Sequence, residues 1–473
     1  MRDLLLLMNL IWSRISSAPP FGRFPPDANI VSTYKTKIIE TEYNSCFHAT
    51  VEWYRKAVSF FIPVVLAEWD WLAMLSGTSL LSFVEFLSVK TKDNPNPKYN
   101  FTDYMYKYPC YYRRAAINQA IGKVSSYKSN LANWENTHQG ERPGIPKAGY
   151  VYPALYRQVC VKECIGDCYH VQIKVWIRNT WDWVTVKLRK SDVDYIRHLC
   201  EGRKSCVPTL RKRGKKWFLD FAFEEDVKLV DIPIQKQTIL AVDLGINSAC
   251  VCTAMQADGT ILGRKFLHLP KEEDSLRHAL NRIKKAQKNG ARKTPELWAC
   301  AKGINDHISV LTAQFIVDTA VLYSAFTVVF EHLETRGRKR GSRSNRQRIQ
   351  HWRSQYVQNI VADKAHRLGI RISKICAWNT SRLAFDGSGE VRRGREAGFP
   401  NNATCQFQNG KVYNCDLNAS YNIGARYFIR EILKSLPATS RLRVEAKVPQ
   451  CSKRSTSTYA TLISLCAELH AAA

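Results

Sequence analysis

The sequence predicts a multidomain protein in which a helical segment and a small β-domain precede an α/β domain. The length of 473 residues corresponds to roughly two to four domains. Apolar residues make up 45% of the chain and include 12 Trp, 21 Tyr and 19 Phe, which is enough to bury several cores. Their spacing changes twice, from helical to alternating and then to buried runs separated by helices. A chain that is disordered throughout is therefore excluded.

Composition and periodicity divide the N-terminal half of the chain. Residues 1–33 are rich in proline and predict an irregular extension. Residues 42–134 carry helical periodicity, and residues 138–153 have the proline and glycine content of a linker. Apolar residues alternate with polar ones over 171–188, which predicts a β-hairpin, and a third strand is expected at 216–223. We therefore expect a helical module followed by a small β-domain.

The pattern changes to α/β near residue 238. Short apolar runs alternate with amphipathic segments, and Asp258-Gly259 predicts a hairpin turn. The expected elements are strands at 239–242, 250–254 and 260–265, helices at 275–288 and 298–323, a strand at 326–330 and a helix at 355–368. The order strand, strand, strand, helix, strand, helix is typical of an RNase H-like fold.

The chain carries 70 Lys and Arg residues against 41 Asp and Glu residues, a formal net charge of +29. A compact protein with this excess repels itself unless a polyanion neutralises it, so nucleic acid is the expected partner and an anionic membrane surface the alternative. No membrane span is expected, because the most apolar stretch, 57–75, contains Pro63, Glu68 and Asp70. The 15 cysteines are scattered, which is typical of reduced thiols in an intracellular protein.

Three acidic residues stand where backbone geometry can bring them together. Asp243 and Glu331 each follow a predicted buried strand, and Asp416 opens a helix-like run. Carboxylates at the carboxyl ends of parallel strands project into the crevice where ligands bind in open α/β sheets. Three such groups without countercharge would repel one another, so we expect them to bind a pair of Mg²⁺ ions through oxygen ligands. Two metal ions bound about 3.5–4 Å apart suit hydrolysis of phosphodiesters by water.

Each motif taken alone leaves other interpretations open. A lone acidic residue after a strand is more often an ordinary loop residue than a catalytic one. Asp243-Leu244-Gly245 also occurs in the phosphate-binding turn of actin-like and sugar-kinase ATPases, whose fold is related. Such an ATPase would need further glycine-rich turns, which the sequence lacks, and the charge of +29 suits it poorly. Glu334 is the alternative ligand if Glu331 points away.

Three motifs resemble the RuvC motifs of the TnpB family, which comprises transposon-encoded RNA-guided DNA endonucleases ancestral to type V CRISPR effectors. They are AVDLGIN at 241–247, VFEHL at 329–333 and NCDLNASYNI at 414–423. The resemblance is specific from about residue 237 to residue 430 and only architectural before that. It implies an RNA-guided DNA endonuclease in which a guide RNA pairs with one strand of double-stranded DNA next to a short flanking motif read by the protein. One site, formed by Asp243, Glu331 and Asp416 with two Mg²⁺ ions, would then cut both strands.

The resemblance also implies a division of the chain into domains. Residues 1–33 would be an extension, and a β-barrel-like wedge domain would comprise 34–41 and 151–233, with a helical recognition domain inserted at 42–150. Residues 234–377 would form the first part of a RuvC-like nuclease domain, followed by a target-nucleic-acid-binding insertion at 378–410. The last RuvC-like motif and helix would lie at 411–436, and a tail at 437–473.

The chain departs from the family in its cysteines. Members usually carry a zinc ribbon with two Cys-x-x-Cys pairs between the second and third motifs. Here those positions hold Ala384, Gly387, Gln406 and Asn409, and only Cys405 lies nearby. Tetrahedral zinc needs four N or S donors, so we expect no zinc. The two weaker alternatives are a site from Cys376, Cys405 and Cys415 and a site from Cys160, Cys164, Cys168 and His170.

Two basic runs are expected to contact nucleic acid. The first follows Glu331 and resembles a lid over the cleft; its residues are Arg336, Arg338, Lys339, Arg340 and Arg343. The second, Arg211, Lys212 and Arg213, suits guide-RNA phosphates. Trp176, Trp181, Trp183 and Trp217 are expected in the core, with base stacking as the alternative.

Two other functions remain open from the sequence. The same scaffold could act as a catalytically silent RNA-guided repressor, although all three acidic residues are present. It could also be a nuclease that recognises DNA structure without a guide, and RNA of defined length bound to the purified protein would separate the two. The expected location is the cytoplasm with access to the nucleoid in a bacterium, or the nucleus in a eukaryote.

Overall fold

The computed structural model describes residues 27–92, 94–138, 141–157, 159–164, 167–245, 249–332 and 353–471. These residues form two compact units. One runs from Val31 to Glu225, and the other contains the chain from Asp226 onward together with residues up to Ile30. In both units sheets and helices are mixed, so the expectation of a multidomain protein of mixed class is confirmed.

The helical part of the first unit lies where the periodicity predicts it. Its helices are α1 (Asn44–Ala67), α2 (Trp69–Leu72), α3 (Thr78–Ser88), α4 (Phe101–Tyr104) and α5 (Cys110–Thr137). Helix α1 packs against α5, because Phe47, Val51, Tyr54, Val58 and Phe61 recur every three or four residues on one buried face. This face contributes to the hydrophobic core of the unit, which also contains buried residues of α5 and of the strands of the unit.

The β part of the first unit contains two sheets and one helix. The elements are β1 (Asp27–Lys37), β2 (Val161–Cys164), β3 (Asp167–Ile177), β4 (Thr180–Lys187), α6 (Lys190–Cys200), β5 (Lys204–Ser205), β6 (Thr209–Arg213) and β7 (Lys216–Lys228). One sheet has the order β1-β7-β5 with β6 also paired to β7, and the other has the order β2-β3-β4. The barrel-like wedge domain stays a prediction.

Strand β1 corrects one expectation. Residues 27–33 were expected in the irregular extension, yet they form the first part of β1. The proline-rich stretch ends at Pro26, and after it polar and apolar residues alternate, so that Ile30 and Thr36 face inward while Val31 is exposed. The alternation is short and its inward residues are partly polar, which made it hard to distinguish from a loop.

The second unit is built on a five-stranded sheet. Its elements are β8 (Thr238–Asp243), β9 (Cys250–Gln256), β10 (Ile261–Leu267), α7 (Pro270–Lys288), α8 (Pro295–Leu322), β11 (Thr327–His332), α9 (Ser354–Arg367) and β12 (Arg371–Cys376). The order is β10-β9-β8-β11-β12, with β8 antiparallel to β9 and parallel to β11. These directions agree with the RNase H-like order that the sequence predicts. Strand β12 was not predicted.

The C-terminal part adds a small sheet and three helices to the second unit. They are β13 (Arg392–Arg393), β14 (Thr404–Gln406), β15 (Val412–Asn414), α10 (Cys415–Ser435), α11 (Ala438–Lys447) and α12 (Tyr459–Ala471). Helix α10 packs on β8 and β9, and α12 packs on α10 through the fully buried Leu462 and Leu465. Among the described residues no helix is both long and apolar enough to cross a membrane.

Candidate active site

The two strand-end acids are adjacent at one edge of the central sheet. Strands β8 and β11 run parallel, with Phe330 paired to Val242. Asp243 and Glu331 are the next residues on each strand, so their side chains start from neighbouring positions at the carboxyl edge. The apolar residues before them are buried, which fixes both strand ends against the core.

The third acid comes from helix α10. Asp416 lies in its first turn, and the Asn414 side chain caps the helix by accepting a hydrogen bond from the Leu417 amide at 2.8 Å. Helix α10 packs on β8 and β9, and the charge of Asp416 in its first turn acts on Asp243 at the end of β8. All three carboxylates remain partly exposed, so an ion or a substrate can reach them.

The electrostatics of Asp243 show that the three acids interact. Burial raises the pKa of Asp243 well above its usual value, and the negative charges of Glu331 and Asp416 raise it further. Burial also raises the pKa of Glu331, whereas a hydrogen bond from the Thr380 hydroxyl and the charge of Arg426 lower it. Burial and the mutual repulsion of the three acids therefore both oppose ionisation of Asp243.

Arg393 is a residue of this site that the sequence analysis did not identify. It lies on β13, opposite Cys405 of β14, and its positive charge lowers the pKa of Asp243. Its guanidinium also donates to the Ser381 hydroxyl at 3.4 Å. Arg393 follows Arg392 and is separated by Gly394 from Arg395, and nothing in this spacing distinguishes it from an exposed surface residue.

The donor set suits Mg²⁺, which prefers carboxylate oxygens and water. Within the described ranges, no three His, Cys, Asp or Glu side chains already lie in positions that would hold an ion. The carboxylates of Asp243, Glu331 and Asp416 interact electrostatically but are not closed around a common point. Their mutual repulsion is the feature that a divalent cation would relieve.

The cysteines near the site form a pair of thiols. Cys405 and Cys415 are both buried, and a hydrogen bond from the Cys415 thiol lowers the pKa of Cys405. The same bond and burial raise the pKa of Cys415. Cys376 is exposed at the end of β12. In the other group Cys160 is buried, which raises its pKa to about 12. The absence of zinc stays a prediction.

The lid residues and Glu334 cannot be placed, since 333–352 lie outside the described residues. In the other basic run, Arg213 donates twice to the buried Asp220 at 2.6 Å, and Arg211 lies 3.6 Å from it. Lys212 is half-buried, contacts the exposed His48 and has its ammonium 5.9 Å from the ring centroid of Trp217. Only Lys212 of the three therefore has no acidic partner in the described structure.

The tryptophans divide between core and surface. Trp217 is buried, Trp176 packs on Trp53 with ring centroids 4.9 Å apart, and Trp181 packs on Tyr112 at the same distance. Trp183 is half-buried, with the Lys162 ammonium 4.3 Å from its ring centroid.

Comparisons with known proteins match different parts of the chain. The uncharacterized protein aq_aa04 of Aquifex aeolicus (strain VF5) is 32% identical over 123 residues, which are 24% of this chain and 68% of that protein. The CRISPR-associated endodeoxyribonuclease Cas12f1 of an uncultured archaeon is 26% identical over 230 residues. That match covers 44% of this chain and 43% of the archaeal protein, so the chain spans less than half the length of this relative.

Among solved structures, a Cas12f1–sgRNA–target DNA complex contains a similar chain. It is 17% identical, with a TM-score of 0.33, and the match covers 83% of this chain and 98% of that one. The sequence profile of the Aq_aa04 family matches residues 32–177, which lie in the first unit. The chain belongs to the Aq_aa04 family.

Proposed function

We propose that the protein is an RNA-guided DNA endonuclease of the TnpB and type V CRISPR group. The observation that carries the proposal is that Asp243 and Glu331 end neighbouring parallel strands of the central sheet, where the charge of Asp416 also acts on Asp243. The motifs around these residues and the similarity to a Cas12f1 protein support it. The bound RNA would pair with the target strand next to a short flanking motif, and the protein would recognise the shape of the heteroduplex.

In this proposal the three carboxylates hold magnesium and Arg393 attracts the phosphate of the strand to be cut. Two Mg²⁺ ions, when bound, would supply the positive charge that makes hydrolysis of a phosphodiester by water possible. Because water attacks the phosphodiester, no side chain of the protein has to act as the nucleophile. The charge of Arg393 acts on Asp243 and that of Arg426 on Glu331. Arg426 is buried and donates to four backbone carbonyl oxygens, whereas the half-buried Arg393 has a charge that suits a phosphate group.

The proposed partners are a guide RNA and double-stranded target DNA. The net charge of +29 suits two polyanions, and the half-buried Lys212 belongs to the surface proposed for guide-RNA phosphates. The proposed location is wherever the chain meets DNA, which is the nucleoid-containing cytoplasm of a bacterium or the nucleus of a eukaryote.

The first experiment is to purify the protein without nuclease treatment and to sequence the nucleic acid that accompanies it. We expect one RNA with a constant scaffold and a variable end. That RNA then defines a plasmid target flanked by a randomised motif, and linear product is measured with Mg²⁺ and with EDTA. A catalytically silent repressor would bind the target and leave the plasmid supercoiled, and this result would contradict the proposal.

Matched variants assign the chemistry to the site. Asp243→Ala and Asp416→Ala should abolish cutting while retaining the RNA, because their role is in hydrolysis. Asp258→Asn is the control, since Asp258 lies in the turn after β9 at the opposite edge of the sheet and its hydrogen bonds among the described residues go to Thr260. Loss of RNA in Asp243→Ala, or equal loss of cutting in Asp258→Asn, would argue that the acids are structural.

A further inference from the structure

Helix α10 carries three buried polar side chains on one face. Asn418 and Asn422 are 0% exposed and Arg426 is 5% exposed. Their spacing of four residues places them above one another along the helix. Buried polar groups of this kind are costly unless each has a hydrogen-bond partner. The hydrogen-bond partners of these three side chains therefore show which segments the helix holds in place.

The side chains of Asn418, Asn422 and Arg426 hold the backbone that follows β12. Asn418 accepts from the Phe385 amide at 2.8 Å, and Asn422 donates to the Thr380 carbonyl oxygen at 2.9 Å. One nitrogen of the Arg426 guanidinium donates to the carbonyl oxygens of Cys376 and Trp378 at 2.8 and 2.7 Å. The segment 376–385 is thus fixed to the helix whose first turn carries Asp416.

The same side chains hold a C-terminal segment. Arg426 also donates to the carbonyl oxygens of Ser457 and Ser455, each at 3.0 Å. Asn422 accepts from the Tyr459 amide at 3.1 Å. Arg426 therefore joins two segments of backbone that are distant in sequence, with two carbonyl oxygens from each.

Thr380 lies where this network meets the site. It is 2% exposed, and its hydroxyl donates to Oε1 of Glu331. The hydroxyl oxygen is also 3.1 Å from the Ala377 carbonyl oxygen, but the charged carboxylate is the stronger acceptor. One oxygen of Glu331 is thereby fixed, and the orientation of the whole carboxylate follows.

We propose that Thr380 is a positioning residue for Glu331, and that Asn422 and Arg426 hold Thr380 in place against the C-terminal segment 455–459. This inference rests on the proposed function, because it takes Glu331 as a ligand for a divalent cation. Groups that hydrogen-bond to a metal ligand fix its direction, and removing them commonly weakens metal binding by about 10–100-fold.

The test compares Thr380→Val, which removes the hydroxyl and nearly keeps the shape, with Thr380→Ser, which keeps the hydroxyl. The readout is the affinity of the full chain for Mn²⁺ as a magnetic probe, measured by electron paramagnetic resonance and compared with thermal stability. We expect an affinity at least about 10-fold lower in Thr380→Val and near wild type in Thr380→Ser. Thr312→Val is the matched control, since Thr312 is equally buried but donates only to Ile308 of its own helix.

Arg426→Lys tests the second part of the proposal. Lysine keeps the charge beside Glu331 but lacks the fork that reaches four carbonyl oxygens. We expect weaker Mn²⁺ binding than wild type, and no further loss when Arg426→Lys is added to Thr380→Val, because both act through one hydroxyl. If the free-energy losses in Mn²⁺ binding of the two single variants add up in the double variant, the link between Arg426 and Thr380 is overturned.

The two proposals fail in different ways. Unchanged Mn²⁺ affinity in a folded Thr380→Val protein, or an equal loss in Thr312→Val, overturns the role of Thr380 even if the wild-type protein cuts DNA. If Mn²⁺ affinity depends on Thr380 but the wild-type protein never cuts a guided target, the proposed function is overturned and the positioning role of Thr380 stands.

Discussion

Asp243 shows how one residue can make the site depend on a cation. Its carboxyl group lies at the end of a buried strand and in the field of Glu331 and Asp416. The pKa of Asp243 is therefore raised, and the native state keeps a proton that the unfolded chain releases near its usual pKa of 3.8. Because the native state binds more protons, the free energy of unfolding falls as the pH rises above that value and through the raised pKa.

Asp243→Asn should remove this penalty. In EDTA near neutral pH we expect the variant to melt a few degrees higher than the wild type, which corresponds to about 1 kcal/mol in a unit of this size. Its stability should also change less with pH. Mg²⁺ should raise the melting temperature of the wild type but not of the variant. Scanning calorimetry from pH 4 to pH 8 measures all three, and a wild type that Mg²⁺ does not stabilise would contradict the prediction.

At the scale of elements, the site depends on where helix α10 begins. The Asn414 side chain bonds the Leu417 amide and so fixes the first turn, which holds Asp416. An uncapped helix frays at its first turn, because its leading amides have no partners within the helix. The cap therefore contributes both to stability and to the position of a proposed metal ligand.

Asn414→Ala should lower the free energy of unfolding by about 1 kcal/mol, whereas Asn414→Ser should lose much less because serine also caps helices. Asn130→Ala is the control, since Asn130 is exposed inside helix α5 and alanine is favoured there. Urea denaturation measures the change in stability. Equal losses in Asn414→Ala and Asn414→Ser would indicate that the cap contributes little.

At the scale of the whole molecule, the charge of +29 has to be separated into cations that are paired and cations that are available. On the hairpin of β6 and β7, Arg213 and Arg211 share the buried Asp220, whereas Lys212 lies half-buried beside His48 and Trp217. Burial and the charge of Lys212 lower the pKa of His48, so His48 adds no charge to this surface at neutral pH. The net charge alone therefore overstates what this surface offers to RNA.

Lys212→Ala should weaken binding of the co-purified RNA and reduce the slope of log K against log salt by about one. Arg213→Ala should instead lower stability, because it removes a partner from the buried Asp220, and should change the slope less. Filter binding from 50 to about 300 mM salt, together with thermal melts, distinguishes the two variants. Equal slopes for Lys212→Ala and the wild type would exclude Lys212 as a phosphate contact.

The sequence carried enough information for the helical region 42–134, for the helices around the central sheet, for most strands of that sheet and for the acids Asp243 and Asp416 at element ends, but not for helices α6, α11 and α12. Strands β8 and β11 contain apolar runs typical of strands buried on both faces, and each run is followed by an acid. Strand β12 was missed because Arg371, Ser373 and Lys374 break its apolar pattern. In the structure Arg371 is buried and donates to the Val230 carbonyl oxygen, a partner 141 residues away.

What the sequence determined by itself is local: the periods that set helices and strands, the turn at Asp258-Gly259, and acids placed directly after buried strands. Only the tertiary structure decided which polar groups share one site. Arg393, Thr380 and Arg426 reach the carboxylates through backbone segments that are distant in the sequence. Hydrogen bonds and charge pairs depend on distances of a few ångströms, and no spacing along the chain encodes those distances until the chain is folded.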